Sequence, residues 1–199
     1  LARDPFGIKP LYYSITRDAL YFASEVRAFK DLKKWPERKD WKIYFLTYGF
    51  LPEPITTLER VQPLERGNCM VVNVHTLASK KEEYCQDDYS ITIHRRDEAL
   101  NKVRATLDEA VKRHLISDAP IGLFLSGGID SSLLTLIADK VGTSKLHTLS
   151  IVFDDATYSE EAYQNIIAQK VNSDHKAFRL TKELYLEAMP DILNAMDQP

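Results

Sequence analysis

The chain has 199 residues, with 26 lysines and arginines against 29 aspartates and glutamates, a formal net charge of −3 and an apolar fraction of 44%. These values are average for a globular protein and exclude the disordered and fibrous classes. No apolar run approaches the ~18–20 residues that a membrane-spanning helix needs. The near-neutral charge, without a long basic run, argues against nucleic acid as the main partner.

Cysteine and histidine usage argues against transition-metal chemistry. Cys69 and Cys85 form no Cys-x-x-Cys pair, so we expect two ordinary thiols in a reducing compartment rather than a disulfide framework or a zinc site. The five histidines are scattered without His-Glu-x-x-His spacing, so a transition-metal enzyme is not expected.

The first part of the chain is predicted to be rich in β-structure. Aromatic and β-branched residues fill two short runs, 11–15 and 19–23, which a polar link separates, and this pattern is typical of an antiparallel hairpin. The further elements expected are a short helix over 24–29 with Ser24 as N-cap, an aromatic helix from Trp41 to Tyr48 closed by Gly49, irregular chain around Pro52, Pro54 and Pro63, and a strand over 69–74. The aromatic side chains of the Trp41–Tyr48 helix are expected to be core residues.

The second part of the chain has the sequence pattern of a different structural class. Residues 79–96 are charged and weakly patterned, which favours a linker. An amphipathic helix from Leu100 to Leu115 follows, and then a continuous apolar run, 120–125, that is typical of a buried strand. The remaining predicted elements are a helix over 130–141, a strand over 146–153, a helix from near 159, a strand over 175–180 and a helix from near 181. Such alternation predicts a parallel sheet with βαβ crossovers.

The glycine-rich turn after the first parallel strand is the main chemical signal. It reads Ser126-Gly127-Gly128-Ile129-Asp130-Ser131-Ser132. Glycines let a ligand approach the backbone, and a helix N-terminus offers unpaired N–H groups and a favourable dipole, so the loop is predicted to bind phosphate. Because Asp130 would repel phosphate unless a cation lay between them, it is predicted to be a Mg²⁺ ligand. A tight turn capped by serine and aspartate is the alternative interpretation.

Two other phosphate loops do not fit this stretch. A Walker A loop requires a lysine, and there is none between Pro120 and Asp139. The Gly-x-Gly-x-x-Gly pattern of dinucleotide-binding domains is also absent from the sequence.

The loop resembles the pyrophosphate loop of the ATP pyrophosphatase superfamily, whose members form an adenylate and release pyrophosphate. GMP synthetases, NAD synthetases and tRNA thiolation enzymes share this motif. Upstream, Arg3-Asp4-Pro5-Phe6-Gly7-Ile8-Lys9-Pro10-Leu11-Tyr12-Tyr13 and Phe22-Ala23-Ser24-Glu25-Val26-Arg27-Ala28 resemble the C-terminal part of class II glutamine amidotransferase domains. A chain that joins this loop to these upstream segments is similar to glutamine-hydrolysing asparagine synthetases. The linker of that family also resembles residues 48–52 and 64–67 of this sequence.

The resemblance implies a fold, a domain organisation and a set of site residues. The fold class is mixed α/β: an antiparallel β piece of an Ntn-type glutaminase domain (1–78), a linker (79–96) and the start of a parallel, doubly wound ATP-pyrophosphatase domain (97–199). The residues implied to bind ATP and pyrophosphate are Ser126, Gly127, Gly128, Asp130, Ser131 and Ser132, with Asp130 also the metal ligand, and Phe124 and Ile151 are implied to contact adenine or to be plain core residues. Arg3, Asp4 and Glu25 match motif positions and are interpreted as framework hydrogen bonds of the hairpin.

The implied reaction is asparagine formation. It uses aspartate, glutamine or ammonia, ATP and Mg²⁺ and proceeds through a β-aspartyl-AMP intermediate. The resemblance further implies a cytoplasmic enzyme and a homodimer. The glutaminase nucleophile of the family is an N-terminal cysteine, and this sequence begins with Leu1 and contains only internal cysteines. We therefore expect a fragment with no catalytic residue of its own and no activity in isolation.

Three alternatives remain open at this point. The first is a related amidotransferase acting on another carboxylate acceptor, because the acceptor loop of the family would lie beyond Pro199. The second is a non-catalytic nucleotide-binding module. The third, a tRNA-modifying member of the superfamily, leaves the segment from Arg3 to Ala28 unexplained and lacks basic patches.

Overall fold

The computed structural model describes residues 1–32, 34–86, 88–155 and 157–198. The chain divides into two units, Leu1–Tyr89 with the residues from Asp191 onward, and Ser90–Pro190. The fold is mixed α/β, as predicted, with antiparallel sheets in the first unit and a parallel sheet in the second. Pro199, the predicted end of the second domain, and position 87 of the predicted linker lie outside the described residues.

The first unit is built on an antiparallel hairpin. Its elements are β1 (Tyr12–Ile15), β2 (Leu20–Ala23), α1 (Arg27–Leu32), α2 (Trp41–Tyr48), β3 (Gln62–Pro63), β4 (Asn68–Val72) and β5 (Ser79–Glu83). The predicted pairing of the first two strands is confirmed, with Tyr12 opposite Ala23. β3 pairs with the other edge of β1, so Pro63, which was expected to lie outside regular structure, belongs to a two-residue strand. This is compatible with proline because the strand is short and needs few ladder bonds.

The hairpin buries side chains on both of its faces, because neighbouring residues of a strand point to opposite sides. On one face, Tyr12 and Tyr21 pack against a buried cluster, which consists of Val26, Phe29, Leu58 and Val61. On the other face, Tyr13 is itself buried, in a cluster with Leu64 and Met70. The first unit therefore has two small cores with the hairpin between them.

Arg3 ties the start of the chain to this unit. Its Nη1 donates to the carbonyl oxygen of Leu64 at 2.8 Å and to the Glu53 carboxylate at 2.7 Å. The framework role predicted for Arg3 is therefore confirmed by the structure. The same prediction is wrong for Glu25, which pairs with Arg27 on an exposed surface instead of holding the hairpin.

Asp4 organises the loop that follows it. Its carboxylate accepts the backbone N–H groups of Phe6 and Ile8, both at 3.1 Å, and that of Lys9 at 2.9 Å. The hydrogen bond from Lys9 lowers the pKa of the Asp4 carboxyl most, those from Ile8, Phe6 and Gly7 lower it further, and desolvation opposes them. Asp4 is thus a framework residue whose charge is stabilised by the folded loop.

We expect Asp4→Asn to remove part of the acid sensitivity of the fold. A carboxyl with a lowered folded-state pKa stabilises the fold above its unfolded pKa, and this contribution is lost as the pH falls through the folded value. The ordinary pKa of this carboxyl is 3.8, so the loss of stability begins near pH 3.8 and continues as the pH falls further. Urea unfolding between pH 3 and pH 7 measures it: the variant should be less stable at neutral pH and lose less stability in acid. Asp18→Asn, in an exposed turn, is the control, and equal pH profiles for the Asp4 variant and the wild type would contradict the role.

The N-terminus of α1 is capped by a residue from far along the sequence. The helix begins at Arg27, so Ser24 is not its N-cap, and that prediction is wrong. The N–H groups of Val26 and Arg27 donate to the Asp197 carboxylate at 2.9 and 2.7 Å. A carboxylate at this position accepts hydrogen bonds from two N–H groups that have no acceptor within the helix. Its negative charge also interacts favourably with the positive end of the helix dipole.

Helix α2 has the predicted bounds and the predicted stop. Gly49 adopts a left-handed conformation with φ of 77°, and its N–H donates to Phe45 O at 2.8 Å. The prediction that its aromatic side chains are core residues is wrong, since Trp41, Tyr44 and Phe45 are only half-buried and Tyr48 is 57% exposed. Periodic aromatic residues indicate a helix with an apolar face, but they do not show what covers that face.

The region predicted to be a linker is partly regular structure. β5 pairs with β4 in an antiparallel two-stranded sheet, with Cys69 opposite Glu82. Every residue of β5 is exposed and four of its five residues are charged, which explains why the sequence resembles a solvated connection. The structure thus differs from the proposed 79–96 linker over its first five residues, and the two units meet in sequence between Tyr89 and Ser90.

The second unit confirms the predicted alternation of strands and helices. Its elements are α3 (Arg96–His114), β6 (Gly122–Phe124), α4 (Ile129–Val141), β7 (His147–Phe153), α5 (Glu161–Lys170), β8 (Asp174–Leu180) and α6 (Lys182–Ala195), of which the last residues group with the first unit. The strands form a parallel sheet in the order β6-β7-β8. This order runs in one direction, so the described strands do not include the reversal of strand order that defines a doubly wound sheet. Within the described residues, none of the helices combines the length and hydropathy of a bilayer-spanning segment.

One face of the parallel sheet is covered and the other is open. On the covered face, Leu125 and Val152 are buried, and Leu123 packs with helix residues, which include Val111, Leu115, Leu136 and Ala138. On the open face, Phe124 is 83% and Phe178 61% exposed. The prediction of a fully buried strand over 120–125 is therefore wrong for Phe124, because helices cover only one side of β6 in the described residues.

Candidate functional site

The Ser126–Ser132 loop lies at the carboxyl edge of the parallel sheet. Leu125, just after β6, still pairs with β7 through its N–H, which donates to Leu149 O at 2.8 Å. The chain then leaves the sheet, and α4 begins at Ile129 with Gly128 as its N-cap. In open α/β sheets, ligands bind in the crevice outside the carboxyl ends of the strands. The predicted loop therefore has the position that such a site requires.

The loop is closed by its own serines. The Ser131 hydroxyl accepts the N–H of Ser126 at 3.2 Å, lies 2.9 Å from the Ser126 hydroxyl, and donates to Gly128 O at 3.2 Å. The Ser126 hydroxyl also accepts the N–H of Gly128 at 3.3 Å. These bonds connect the two ends of the turn and fix its shape before any ligand arrives.

The first turn of α4 leaves donors for an anion. The first N–H groups of a helix have no intrahelical acceptor. Apart from the Gly128 N–H, which the Ser126 hydroxyl accepts, none of them is capped by a side chain of the described residues. Glycine at the N-cap position leaves the approach to these groups without a Cβ. The geometry can therefore offer backbone N–H groups and the positive end of a helix dipole to a phosphate-like group.

Gly127 is the one residue of the loop with a left-handed backbone. Its φ is +91°, and a Cβ added there would lie 2.9 Å from Glu160 Cβ and 3.1 Å from Glu160 O. A side chain at this position would meet both unfavourable backbone geometry and a steric clash with the start of α5. Glycine is thus required by the turn itself, apart from any ligand.

Asp130 stands in the first turn of α4 with an exposed side chain. Its carboxylate forms no hydrogen bond or ion pair within the described ranges. Mg²⁺ is commonly held by one or two carboxylates together with substrate phosphates and waters, so a single free carboxylate beside a phosphate loop fits this ion. In the described part of the chain, no group of three or more His, Cys, Asp or Glu residues could hold a metal ion.

Phe124 and Ile151 line the same cavity beside the loop. Both line a cavity of about 220 Å³ to which Ser126 and Gln164 also contribute. Phe124 is 83% and Ile151 53% exposed, so neither is a core residue in this structure. The structure therefore brings the two residues predicted to contact adenine together with the first residue of the loop.

Gln164 is a site-adjacent residue that the sequence reasoning missed. It is 2% exposed, and its Nε2 donates to Ser126 O and to Ile151 O, each at 3.1 Å. One sequence signal could have revealed it: Gln164 lies four positions before the buried Ala168, so an amide occupies the buried stripe of α5. Polar residues on such a stripe are usually hydrogen-bonded to something specific.

A charged group lies at the ends of the next two strands. Arg179 Nη1 donates to the Asp154 carboxylate at 3.0 Å, and Glu161 lies 3.8 Å from the same guanidinium. Hydrogen bonds from the N–H and the hydroxyl of Thr157 lower the pKa of Asp155, and desolvation opposes them. The sequence did not indicate the Arg179 pairs, because their members come from separate parts of the chain.

Together, the fold and the loop define a class of protein. An antiparallel β unit is followed in one chain by an α/β unit with a candidate anion-binding loop at the carboxyl edge of its parallel sheet. Comparison with known proteins gives the family. Residues 1–85 match the family model of the glutamine amidotransferase domain, and residues 102–199 match that of asparagine synthase. The chain belongs to the family of glutamine-hydrolysing asparagine synthetases.

Individual relatives agree with this assignment. The chain is 32% identical over 199 residues to asparagine synthetase [glutamine-hydrolyzing] 1 of Bacillus subtilis, with all of this chain and 31% of the relative covered. It is 29% identical over 204 residues to putative asparagine synthetase [glutamine-hydrolyzing] 2 of Methanocaldococcus jannaschii, with 100% and 39% covered. A probable asparagine synthetase of Dictyostelium discoideum is 23% identical, with 98% and 33% covered. The chain thus spans between about three and four tenths of the length of these relatives.

Proposed function

We propose that the protein is an ATP-dependent amidotransferase ligase that converts aspartate and glutamine to asparagine and glutamate. The β-carboxylate of aspartate attacks the α-phosphorus of ATP, which gives β-aspartyl-AMP and releases pyrophosphate. Ammonia from glutamine hydrolysis then attacks the carbonyl carbon and releases AMP. The observation that carries this proposal is the closed Ser126–Ser132 turn with uncapped N–H groups at the start of α4, in a chain of this family.

The loop residues are assigned the pyrophosphate end of ATP. Ser126, Gly127, Gly128, Ser131 and Ser132 surround this group in the proposal. Donors that are already in place stabilise the charge that develops on the leaving pyrophosphate without reorganising during the reaction. The serine hydrogen bonds support this assignment, because they hold the turn in one shape.

Asp130 is assigned to Mg²⁺, which neutralises phosphate charge and favours departure of pyrophosphate when it is bound. The exposed carboxylate, which has no partner among the residues that the structure describes, supports this assignment. Phe124 and Ile151 are assigned the adenine, because their side chains offer apolar surface beside Ser126 in one cavity. The cofactors of the proposal are therefore ATP, as cosubstrate, and Mg²⁺.

Product analysis of the full-length protein tests the function. With aspartate, glutamine and Mg·ATP, we expect asparagine, AMP and pyrophosphate in equal amounts. A product from another carboxylate with none from aspartate would favour a related amidotransferase. Absence of AMP formation with every carboxylate offered would favour a non-catalytic nucleotide-binding module.

The remaining assignments stay predictions from the family resemblance. They are the cytoplasmic location, the homodimer and the domain limits 1–78, 79–96 and 97–199. That these 199 residues alone hydrolyse no glutamine also stays a prediction, which a glutaminase assay of this chain tests.

A further inference from the structure

Gln164 has no role in the proposed function, yet its polar side chain is buried next to the loop. It projects from α5 and is 2% exposed. Its Cγ would lie 3.4 Å from a Cβ added at Gly127, so the side chain packs directly under the left-handed glycine of the turn. The residue is therefore placed to influence the shape of the loop.

The carboxamide connects two chain segments at the point where they separate. The ladder of β6 and β7 ends with Phe124 opposite Leu149, and the last bond between the segments runs from the Leu125 N–H to Leu149 O at 2.8 Å. Beyond it, Leu125 O accepts a hydrogen bond from the Ser150 hydroxyl at 2.6 Å. Side chains thus replace the backbone ladder as the loop leaves the sheet.

Gln164 makes the next such connection. Its Nε2 donates to Ser126 O and to Ile151 O, both at 3.1 Å, and so uses its two hydrogens on two carbonyl groups. Ser126 is the first residue of the loop, and Ile151 is the β7 residue assigned to adenine. One side chain therefore contacts the backbone on both the pyrophosphate side and the adenine side of the candidate site.

The other end of the carboxamide argues against a purely stabilising role. Gln164 Oε1 is buried and has no hydrogen-bond partner among the described residues. Reversing the amide would bring this oxygen against two carbonyl oxygens, so the orientation is fixed by the acceptors. A buried acceptor without a partner is unfavourable, so it offsets part of the stabilisation that the two donated hydrogen bonds provide.

We propose that Gln164 is a positioning residue for the nucleotide, which holds the Ser126 and Ile151 carbonyl groups at a fixed separation. This inference rests on the proposed function, because it assumes that the loop and Ile151 bind the two ends of ATP. Without the carboxamide, the loop and β7 could move apart, and both ends of the ligand would lose preorganised contacts. Gln164 acts through these carbonyl groups and is not assigned a contact with the reacting atoms.

The test compares three forms of the full-length protein: wild type, Gln164→Leu and Gln169→Leu. Leucine keeps much of the volume of Gln164 and removes its donors, and Gln169 is an exposed glutamine on the same helix, which makes it a matched control. Equilibrium binding of Mg·ATP, of Mg·pyrophosphate and of AMP is measured at a temperature where each form is fully folded. The thermal midpoint of each form without ligand is measured in parallel.

We expect Gln164→Leu to weaken binding of all three ligands at least about tenfold, and Gln169→Leu to change it less than about twofold. A merely structural role would lower the thermal midpoint and leave the three affinities of the folded variant unchanged, and that result would overturn the inference. Wild type that binds none of the ligands would overturn the proposed function and the inference with it. Wild type that binds, with equal binding by Gln164→Leu, would overturn the role of Gln164 alone.

A second measurement decides the case in which Gln164→Leu does not fold. The side-chain amide resonances of Gln164 in the wild-type protein are followed by NMR during titration with Mg·pyrophosphate. A positioning role predicts that both amide hydrogens are protected from solvent exchange and that their signals shift on binding. Rapid exchange or unmoved signals would overturn the inference.

Discussion

Gly127→Ala is expected to weaken binding of Mg·ATP at least about a hundredfold, which corresponds to about 3 kcal/mol. The glycine has φ of +91°, and an added Cβ would lie 2.9 Å from Glu160 Cβ and 3.1 Å from Glu160 O. One of these contacts is to a backbone atom, so relief requires α5 or the turn to move rather than one side chain to rotate. Either movement separates the donors that the turn holds together. Calorimetric titration of the full-length variant with Mg·ATP measures the loss.

Gly49→Ala is the matched control for this substitution. Gly49 is also left-handed, with φ of +77°, but a Cβ added there meets nothing within 4 Å. We expect this variant to lose about 1–2 kcal/mol of unfolding free energy through backbone strain, with no change in Mg·ATP affinity. Wild-type affinity in Gly127→Ala would contradict the assignment of the loop.

Asp130→Asn is expected to reduce synthesis of asparagine from ammonia, aspartate and ATP by about two to three orders of magnitude, while glutamine hydrolysis continues at the wild-type rate. The substitution keeps the size of the side chain and removes the negative charge proposed to hold Mg²⁺. The exposed carboxylate has no partner within the described residues, so little structure depends on it. Separate assays of the two activities in the full-length protein, with Mg²⁺ varied, measure the effect.

Asp139→Asn is the control for the metal assignment. Asp139 is an exposed aspartate near the other end of the same helix, so its replacement removes an equal charge away from the loop. We expect this variant to keep both activities. If Asp130→Asn also kept both, the metal role of Asp130 would be wrong.

Local patterns predicted the elements and the loop of this chain. The hairpin of β1 and β2, the helix closed by Gly49, and the alternation of strands and helices after residue 96 are all readable from spacing and turn residues. The Ser126–Ser132 loop was found for the same reason, since its strand, turn and helix are consecutive in sequence. Such features depend on neighbours that lie only a few residues away.

Features set by distant contacts could not be predicted in this way. Asp197, not Ser24, caps α1, and only the folded chain brings residue 197 to residue 26. Gln164 reaches Ser126 across 38 positions, so no local pattern reports that bond. Phe124 belongs to an apolar run but lies on an uncovered face, and periodicity does not show which face of a sheet is covered. The sequence of β5 predicts a linker because its charged, exposed residues show no apolar alternation.

We propose that this chain belongs to an enzyme that activates the side-chain carboxylate of aspartate with ATP. This proposal is tested most directly with aspartate labelled with ¹⁸O in that carboxylate, incubated with the full-length protein, ammonia and Mg·ATP. Attack on the α-phosphorus makes one carboxylate oxygen the bridge to phosphorus, and attack by ammonia on the carbonyl carbon leaves that oxygen on AMP. We predict one ¹⁸O atom in each AMP formed. Label in inorganic phosphate with ADP as coproduct, or AMP without label, would contradict the account.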